Sequence, residues 1–418
     1  MEICTQVYRP RRPKDSPLFR LVKEHIDEFL RVYPDRFAKE HGPLRPVVER
    51  VLRGFIECGD VAHGFARAWC SSCRTSYLIP YSCRGRNFCP SCEKKRSILW
   101  AEWLHEEVLE PVPHRHVVLT MPRLLRGIFR KRRELLLDLS QCSADAIAEY
   151  MRREVGADTR PGIVVSIATS GDMLQWHPHS HILATDGAFS DDGTFHPLAA
   201  WDGEVLMRLF RERLLARLVE KHAISQELAK KLLAWRHPGF SAHAGEPITP
   251  EDTRALEDLA GYVVRSPLSL RRLVYIDGKQ AVIYRGLRPN PAFGQNFVAM
   301  DPLEWLAHMT DHIPDPGKHR TLFYAHYANR SRGDRSPEEP GDGKVEEEPA
   351  KKRRCSATWA RLIAKVFHAD PLTCRKCGGK LEIVAYLHDQ GAIRQILDHL
   401  GLSPPEDPKP PPAVPEVV

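Results

Sequence analysis

The stretch Gln175–Gly187 reads QWHPHSHILATDG, with histidines at 177, 179 and 181. A period of two is the period of a β-strand, on which alternate side chains share a face. His177, His179 and His181 are therefore expected to point the same way, close enough for neighbouring imidazoles to hold one divalent ion jointly. Taken alone, such a strand suits a metallohydrolase zinc site, a cupin-like site or a divalent site for phosphoryl chemistry. The bland alternative is a polar strand edge with incidental histidines. A second pair, His114-Arg-His116, falls on an earlier β-rich run, HRHVVLTM (114–121), ended by Pro122. It reads as strand decoration unless that run lies beside the histidine strand in a sheet.

Outward from this strand, GIVVSIAT (162–169) predicts its neighbour. SDDGTFHP (190–197) predicts a polar turn leading into helical sequence over 202–235. Residues 16–57 are expected to be helical, with Phe19, Val22, Ile26, Phe29 and Leu30 at helical spacing and a second helix opening at Pro46. SILWAEWLHEEVL (97–109) and a basic stretch around IFRKRRELLLDLSQCSADAIAEYMRRE (128–154) predict further helices. LVYI (273–276) and KQAVIYR (279–285) flank Asp277-Gly278, a hairpin signal. TPEDTRALEDLAGYVVRSPLS predicts a helix over 250–264 with Thr249 as N-cap and Pro250 at N1. Leu256, Leu259, Ala260 and Val263 form its apolar stripe. Tyr262 flanks that stripe, which by itself says no more than core edge. A phenol is a poor nucleophile near neutral pH because its pKa is about 10, and a nearby cation offsets that handicap.

Cysteine usage points to metal. Six of the 11 cysteines crowd between Cys58 and Cys92. Cys70-Ser-Ser-Cys73 and Cys89-Pro-Ser-Cys92 are two CxxC pairs separated by 15 residues. The spacing predicts a tetrahedral, structural Zn²⁺ with no position left for water. Cys58, His63 and Cys83 remain as secondary candidates, for a second ion or in place of one of the four, or else as buried thiols and a surface imidazole. Arg74, Arg84, Arg86, Lys94, Lys95 and Arg96 decorate the module and suit a nucleic-acid backbone, or simply a solvated face. Cys374-Arg-Lys-Cys377-Gly-Gly is half of another zinc site, with Cys355, His368 and His388 as completing candidates, or else a glycine-stabilised turn.

The whole chain of 418 residues is 42% hydrophobic and carries a net charge of +7, from 61 basic against 54 acidic residues. That balance permits a nucleic-acid partner without demanding one. No apolar run is long enough to span a membrane, and the opening MEICTQVYRPRRPKDSP has no apolar signal segment. A cytoplasmic, nucleoid-associated protein is expected.

Taken together, these motifs resemble the His-hydrophobic-His (HUH) endonuclease superfamily, and within it the rolling-circle transposases carried by insertion sequence common region elements. GPLRPVVERVL (42–52) and SCRGRNFCPSC (82–92) resemble the family's zinc-binding domain. HRHVVLTMP (114–122) resembles its first core strand. HPHSHILATDGAF (177–189) resembles its metal strand, which places the paired ligands on His179 and His181. LAGYVVRSPLS (259–269) resembles its nucleophile helix, which places the catalytic tyrosine on Tyr262. HRTLFYAHYANRSRG (319–333) resembles its closing segment, and WARLIAKVF (359–367) with CRKCGGKLEIVAYL (374–387) its C-terminal module. Two departures stand out. Ser180 occupies the position that the family name makes hydrophobic. Asp258 stands where some relatives carry a second tyrosine, so this is a one-tyrosine version. Asp258, His177 and Asp186 are candidates for a third metal ligand.

The resemblance implies an α+β fold: a central antiparallel sheet covered by helices, preceded by a Cys-rich zinc ribbon and followed by a small zinc-ribbon-like module. The expected boundaries are 1–105 for the N-terminal helices and zinc-binding domain, 106–330 for the catalytic domain, 331–354 for a linker, 355–402 for the CxxC module and 403–418 for a tail. It also implies nicking and rejoining of single-stranded or hairpin DNA at insertion-sequence ends. The route is a 5′-phosphotyrosine intermediate, with Mg²⁺ or Mn²⁺ on His179, His181 and a further group such as His177. A single tyrosine would serve both strand ends successively or in a homodimer. Phe129, Trp176 and Tyr284 are candidate base-stacking residues, and Arg265 a DNA-binding one. The rival readings are a non-catalytic zinc-finger DNA-binding protein and a zinc metallohydrolase that does not use Tyr262.

Overall fold

A computed structural model describes residues 13–236, 239–276, 280–289, 294–333 and 373–402. Most of the expected linker, the tail, the Asp277-Gly278 turn, Cys355 and His368 lie outside the described residues. The chain is mixed α+β and its sheets are antiparallel. It folds as two compact units. One is built on Glu57–Cys83 together with the C-terminal segment, the other on Lys14–Ile56 and Arg84–Glu346. Among the described residues no helix is long and apolar enough to cross a membrane.

The elements run, in chain order, α1 (Pro17–Arg36), α2 (Ala38–His41), α3 (Pro46–Glu57), β1 (Phe65–Cys70), β2 (Thr75–Pro80), α4 (Pro90–Glu107), β3 (His114–Thr120), α5 (Arg123–Lys131), α6 (Leu135–Glu154), β4 (Gly162–Ser170) and β5 (Trp176–Thr185). There follow β6 (Gly187–Phe189), β7 (Phe195–Pro197), α7 (Gly203–Glu220), α8 (Gln226–Ala234), β8 (Ser241–Ala244), α9 (Thr253–Val263), β9 (Leu273–Ile276), β10 (Ala281–Arg285) and β11 (Phe297–Met300). The last are α10 (Pro302–Asp311), β12 (Thr321–Ala325), α11 (Asn329–Gly333), β13 (Leu381–Leu387) and α12 (Gln390–His399).

The larger unit is organised by a five-stranded antiparallel sheet in the order β12-β4-β5-β3-β8. Alternation along the strands gives it two unlike faces. One presents Val117, Leu119, Val165, Ile167, Ile182 and Ala184, which join Leu139, Ile147, Leu206 and Phe210 of α6 and α7 in the main core. The opposite face carries the histidines of β5, and there Val164 and Leu183 pack with Ala101 and Leu104 of α4 and Ala260 of α9. The histidine strand is thus central in the sheet, with one side anchored in the core and the other turned to the tyrosine helix.

Local signals explain where helices start and stop. Ser16 accepts the Phe19 N–H at 3.2 Å and caps α1, with Pro17 at its first position. The expected cap of α9 is corrected. Asp252, not Thr249, accepts the Ala255 N–H (3.0 Å), and the helix begins at Thr253. Ile248 is bridged to His114, so the backbone at 249–252 leaves a strand edge through a turn before it can coil. The basic stretch around 128–154 is two helices, broken where Arg132 leaves helical geometry. One of its arginines is structural. Arg133 reaches the carbonyls of Asp311 and Ile313, and Arg45 those of Thr310 and Ile313, so two guanidinium groups satisfy carbonyls that the end of α10 would leave orphaned.

Two buried histidines tie this unit together away from the β5 cluster. His114 is hydrogen-bonded to the Tyr327 hydroxyl (2.7 Å), and His312 to Thr169 (3.0 Å) and the Leu174 carbonyl (2.9 Å). Burial pushes each down to about 4. The unfolded chain, with histidine near 6.5, binds protons that the native state refuses, so stability present above pH 6.5 is lost as pH falls toward 4. At pH 5.5 each residue is expected to cost about 1.4 kcal/mol relative to pH 7.5. Urea unfolding at the two pH values should show a clearly lower midpoint at 5.5; equal midpoints would contradict neutral, buried imidazoles.

In the smaller unit β13, β1 and β2 form one antiparallel sheet, with Cys70 paired to Leu381 and to Thr75. The two cysteine modules expected at opposite ends of the chain therefore share a sheet. Phe65 packs with Ile393 and Leu397 of α12. Gly64 has φ +116°, and a Cβ there would meet the Tyr81 ring at 2.8 Å.

Candidate active site and metal centres

On β5 the structure brings His179 and His181 together. Their Nε2 atoms are 3.1 Å apart. Two lone pairs at that separation can meet on one ion at the usual metal–imidazole distance of about 2.0–2.1 Å. The His179 Nδ1–H donates to the His177 carbonyl at 2.7 Å, which fixes its tautomer and leaves Nε2 as the acceptor. Burial, then the neighbouring His179 and His116 and the guanidinium groups of Arg265 and Arg320, press His181 down to about 2. Burial is the main cause for His177, down to about 3, and for His179. The imidazoles are thus held in the neutral form that binds metals. The His177 ring lies 4.9 Å from that of His179, and its buried Nε2 has no hydrogen-bond partner among the described residues. Ser180, between the paired histidines, faces the core, where its hydroxyl meets that of Ser143 at 2.7 Å. A serine is accommodated there because α6 supplies a matching hydroxyl.

Tyr262 stands in the last turn of α9, 40% exposed. Its ring meets His181 edge-on at 5.4 Å between ring centres and 87°, and His116 at 5.6 Å and 77°. The Arg265 guanidinium lies 4.1 Å from the tyrosine ring centre. The small sequence distance explains this placement: Arg265 is three residues on, just beyond the helix end. Arg320, which the sequence did not single out, hydrogen-bonds the Val264 carbonyl at 3.4 Å and brings a second cation to the same pocket. Neutral imidazoles, an accessible phenol and two guanidinium groups make a site suited to an anion, with donors for a cation beside it.

The other third-ligand candidates are engaged elsewhere. Asp258 is exposed and pairs with Arg254 at 4.0 Å. Asp186 accepts from Arg115 at 2.6 Å and from Trp201 at 2.7 Å. Of the basic residues, Lys94, Lys95, Arg84 and Arg265 are exposed. Arg86 instead holds the carbonyls of Asp315 and Lys318 (3.0 and 2.9 Å). The stacking reading of three aromatics is corrected, because Phe129, Trp176 and Tyr284 are all buried.

The cysteines group differently from the expected union of the two N-terminal CxxC pairs. Within the smaller unit Cys70, Cys73, Cys374 and Cys377 have their sulfurs within 4.8 Å of one another. Cys70 to Cys377 and Cys73 to Cys374 are each 3.5 Å. With Zn–S bonds of about 2.3 Å, the edge of a tetrahedron is about 3.8 Å, so four thiolates sit close to a closed zinc shell. Both turns are built alike: Arg74 (φ 57°) and Gly378 (φ 73°) take the left-handed conformation just after their pairs. The Tyr77 hydroxyl bonds the Cys374 sulfur at 3.4 Å and holds that thiol down to about 6, favouring the thiolate a metal needs. His388 stacks on Tyr81. The Cys83 N–H donates to the Cys58 sulfur at 3.3 Å. In the larger unit, Cys89 is the N-cap of α4 and Cys92 lies in its first turn.

The larger unit thus presents an imidazole pair with a tyrosine edge-on to it, and the smaller unit a cysteine quartet of the size of a zinc shell. Known proteins share long stretches of this sequence. A family described as “Transposase zinc-binding domain” matches residues 26–121, and one described as “Putative transposase” matches residues 162–335. The chain is 26% identical over 367 residues to the transposase for insertion sequence element IS801 of Pseudomonas savastanoi pv. phaseolicola, covering 83% of this chain and 85% of that one. It is 27% identical over 332 residues to the putative transposase y4qJ of Sinorhizobium fredii (strain NBRC 101917 / NGR234), covering 73% and 81%. No solved structure matches it. The chain belongs to the IS91/IS801 family of transposases.

Proposed function

We propose that this transposase nicks and rejoins single-stranded or hairpin DNA at insertion-sequence ends through an HUH-type centre within residues 106–330. The observation that carries this reading is the edge-on approach of Tyr262 to His181, whose Nε2 is paired with that of His179. The ion proposed is Mg²⁺ or Mn²⁺; of the two, Mn²⁺ accepts imidazole nitrogen more readily than the hard, oxygen-seeking Mg²⁺, and two imidazoles leave much of a shell open to substrate oxygens. When bound, the ion acts as a Lewis acid on the scissile phosphate.

The chain's own groups do the rest. Arg265 and Arg320 hold the phosphate by charge. The Tyr262 oxygen attacks phosphorus in line. The Tyr–O–P bond forms as the P–O3′ bond breaks, the phenolic proton passes to solvent, and the departing O3′ takes a proton from solvent to become a 3′-hydroxyl. The 5′-phosphotyrosine retains the bond energy for rejoining, so no nucleotide cofactor is required. With one tyrosine, the two ends are handled in turn or by two protomers of a homodimer. Lys94, Lys95 and Arg84 extend the backbone-binding surface. Zinc is structural. The ion takes Cys70, Cys73, Cys374 and Cys377. The cell compartment is the cytoplasm, at the nucleoid.

A labelled single-stranded oligonucleotide bearing the element end, incubated with protein and Mn²⁺, should give a covalent adduct on a denaturing gel, absent in Tyr262→Phe. The expected loss is at least about 10³-fold. Cleavage without adduct would instead indicate a hydrolase, and binding without cleavage a finger protein.

A further inference from the structure

We propose that His116 is the positioning residue of the metal site: through one hydrogen bond it sets the tautomer and ring plane of His181. The inference rests on the reading of His179 and His181 as metal ligands, and assigns a role to a histidine that the mechanism above does not use.

The backbone explains why His116 is in place. Strands β3 and β5 pair so that Val118 is opposite His181. His116, two residues earlier on β3, shares that face and sits diagonally from His181, a separation that long or ring-bearing side chains bridge. The His116 Nε2 lies 2.9 Å from the His181 Nδ1, and the two rings stack at 5.1 Å and 17°. A ligand that offers Nε2 to an ion carries its proton on Nδ1, so His181 donates and His116 accepts. His179 is oriented the same way, but its Nδ1–H goes to a backbone carbonyl. Each imidazole of the pair thus has its far nitrogen tied, one to the main chain and one to a side chain. Because His116 also meets the Tyr262 ring edge-on, one side chain buttresses both ligand and nucleophile.

Mn²⁺ affinity, read by electron paramagnetic resonance on the zinc-loaded full chain, tests this without any DNA. Three variants are needed: His116→Leu, His116→Gln and His181→Ala. Loss of such an outer partner weakens metal binding about 10–100-fold, and that is the result expected for His116→Leu. His116→Gln, whose amide oxygen can reach the same acceptor position, should return to within a few-fold of the parent. Both should unfold at the parent's temperature. Parent-like binding in His116→Leu alongside lost binding in His181→Ala would overturn the positioning role. So would a His116→Gln variant as weak as the leucine one, since that marks His116 as packing alone. Unchanged binding in His181→Ala would overturn the metal site itself, and the positioning role with it.

Discussion

Replacing His181 by alanine should lower Mn²⁺-dependent strand cleavage by at least about 10³-fold, with the five-stranded sheet intact. His181 supplies one of two close imidazole donors. Under the proposed mechanism a single imidazole would not hold the ion where it offsets charge on the phosphoryl group. The sheet should survive because β5 is anchored from its other face, where Ser180, Ile182 and Ala184 engage the core. Far-ultraviolet circular dichroism beside a single-turnover cleavage assay checks both halves. Near-parental cleavage by a folded His181→Ala protein would remove the imidazole pair from the chemistry.

Cys374→Ser should release one zinc ion per chain and unfold the smaller unit. Among the described residues its fully buried apolar side chains are few: Ala68, Cys70, Cys374 and Leu381 in one cluster, Phe65, Ile393 and Leu397 in another, with partly buried neighbours such as Ile79 and Leu387 around them. A core of that size does not stabilise a three-stranded sheet unaided. Structural zinc contributes about 10–16 kcal/mol in small modules, more than these side chains can replace. Zinc content measured by mass spectrometry and the rate of limited proteolysis should change together. Because Cys70 lies on β1 and Cys374 just before β13, the N-terminal ribbon should fail even though the altered residue is some 300 positions away in sequence. Full zinc content in Cys374→Ser would contradict the shared site.

Period-two histidines and a tyrosine on an amphipathic helix could be read from sequence because both signals are local: each needs only the repeat of its own element. The cysteine grouping could not. A CxxC pair announces two ligands but not its partner, and the partner depends on the pairing of β1 with β13, which no local pattern encodes. His116 was ambiguous for the same reason. Its meaning depends on the β3–β5 register, and a slip of one residue would have turned it to the core. Thr249 matched a capping pattern, yet the bridge at Ile248 displaced the helix start to Asp252. Phe129, Trp176 and Tyr284 looked available for stacking only because aromatic residues do not declare their burial in sequence.

The account turns on a phenol bonded covalently to DNA beside an imidazole pair. After reaction of the full chain with a single-stranded element end and Mn²⁺, nuclease and protease digestion followed by peptide mass spectrometry should find one nucleotide-bearing peptide. The account predicts the modification on Tyr262, attached through a 5′-phosphate. A modified residue elsewhere, or cleaved DNA with every peptide unmodified, would contradict it.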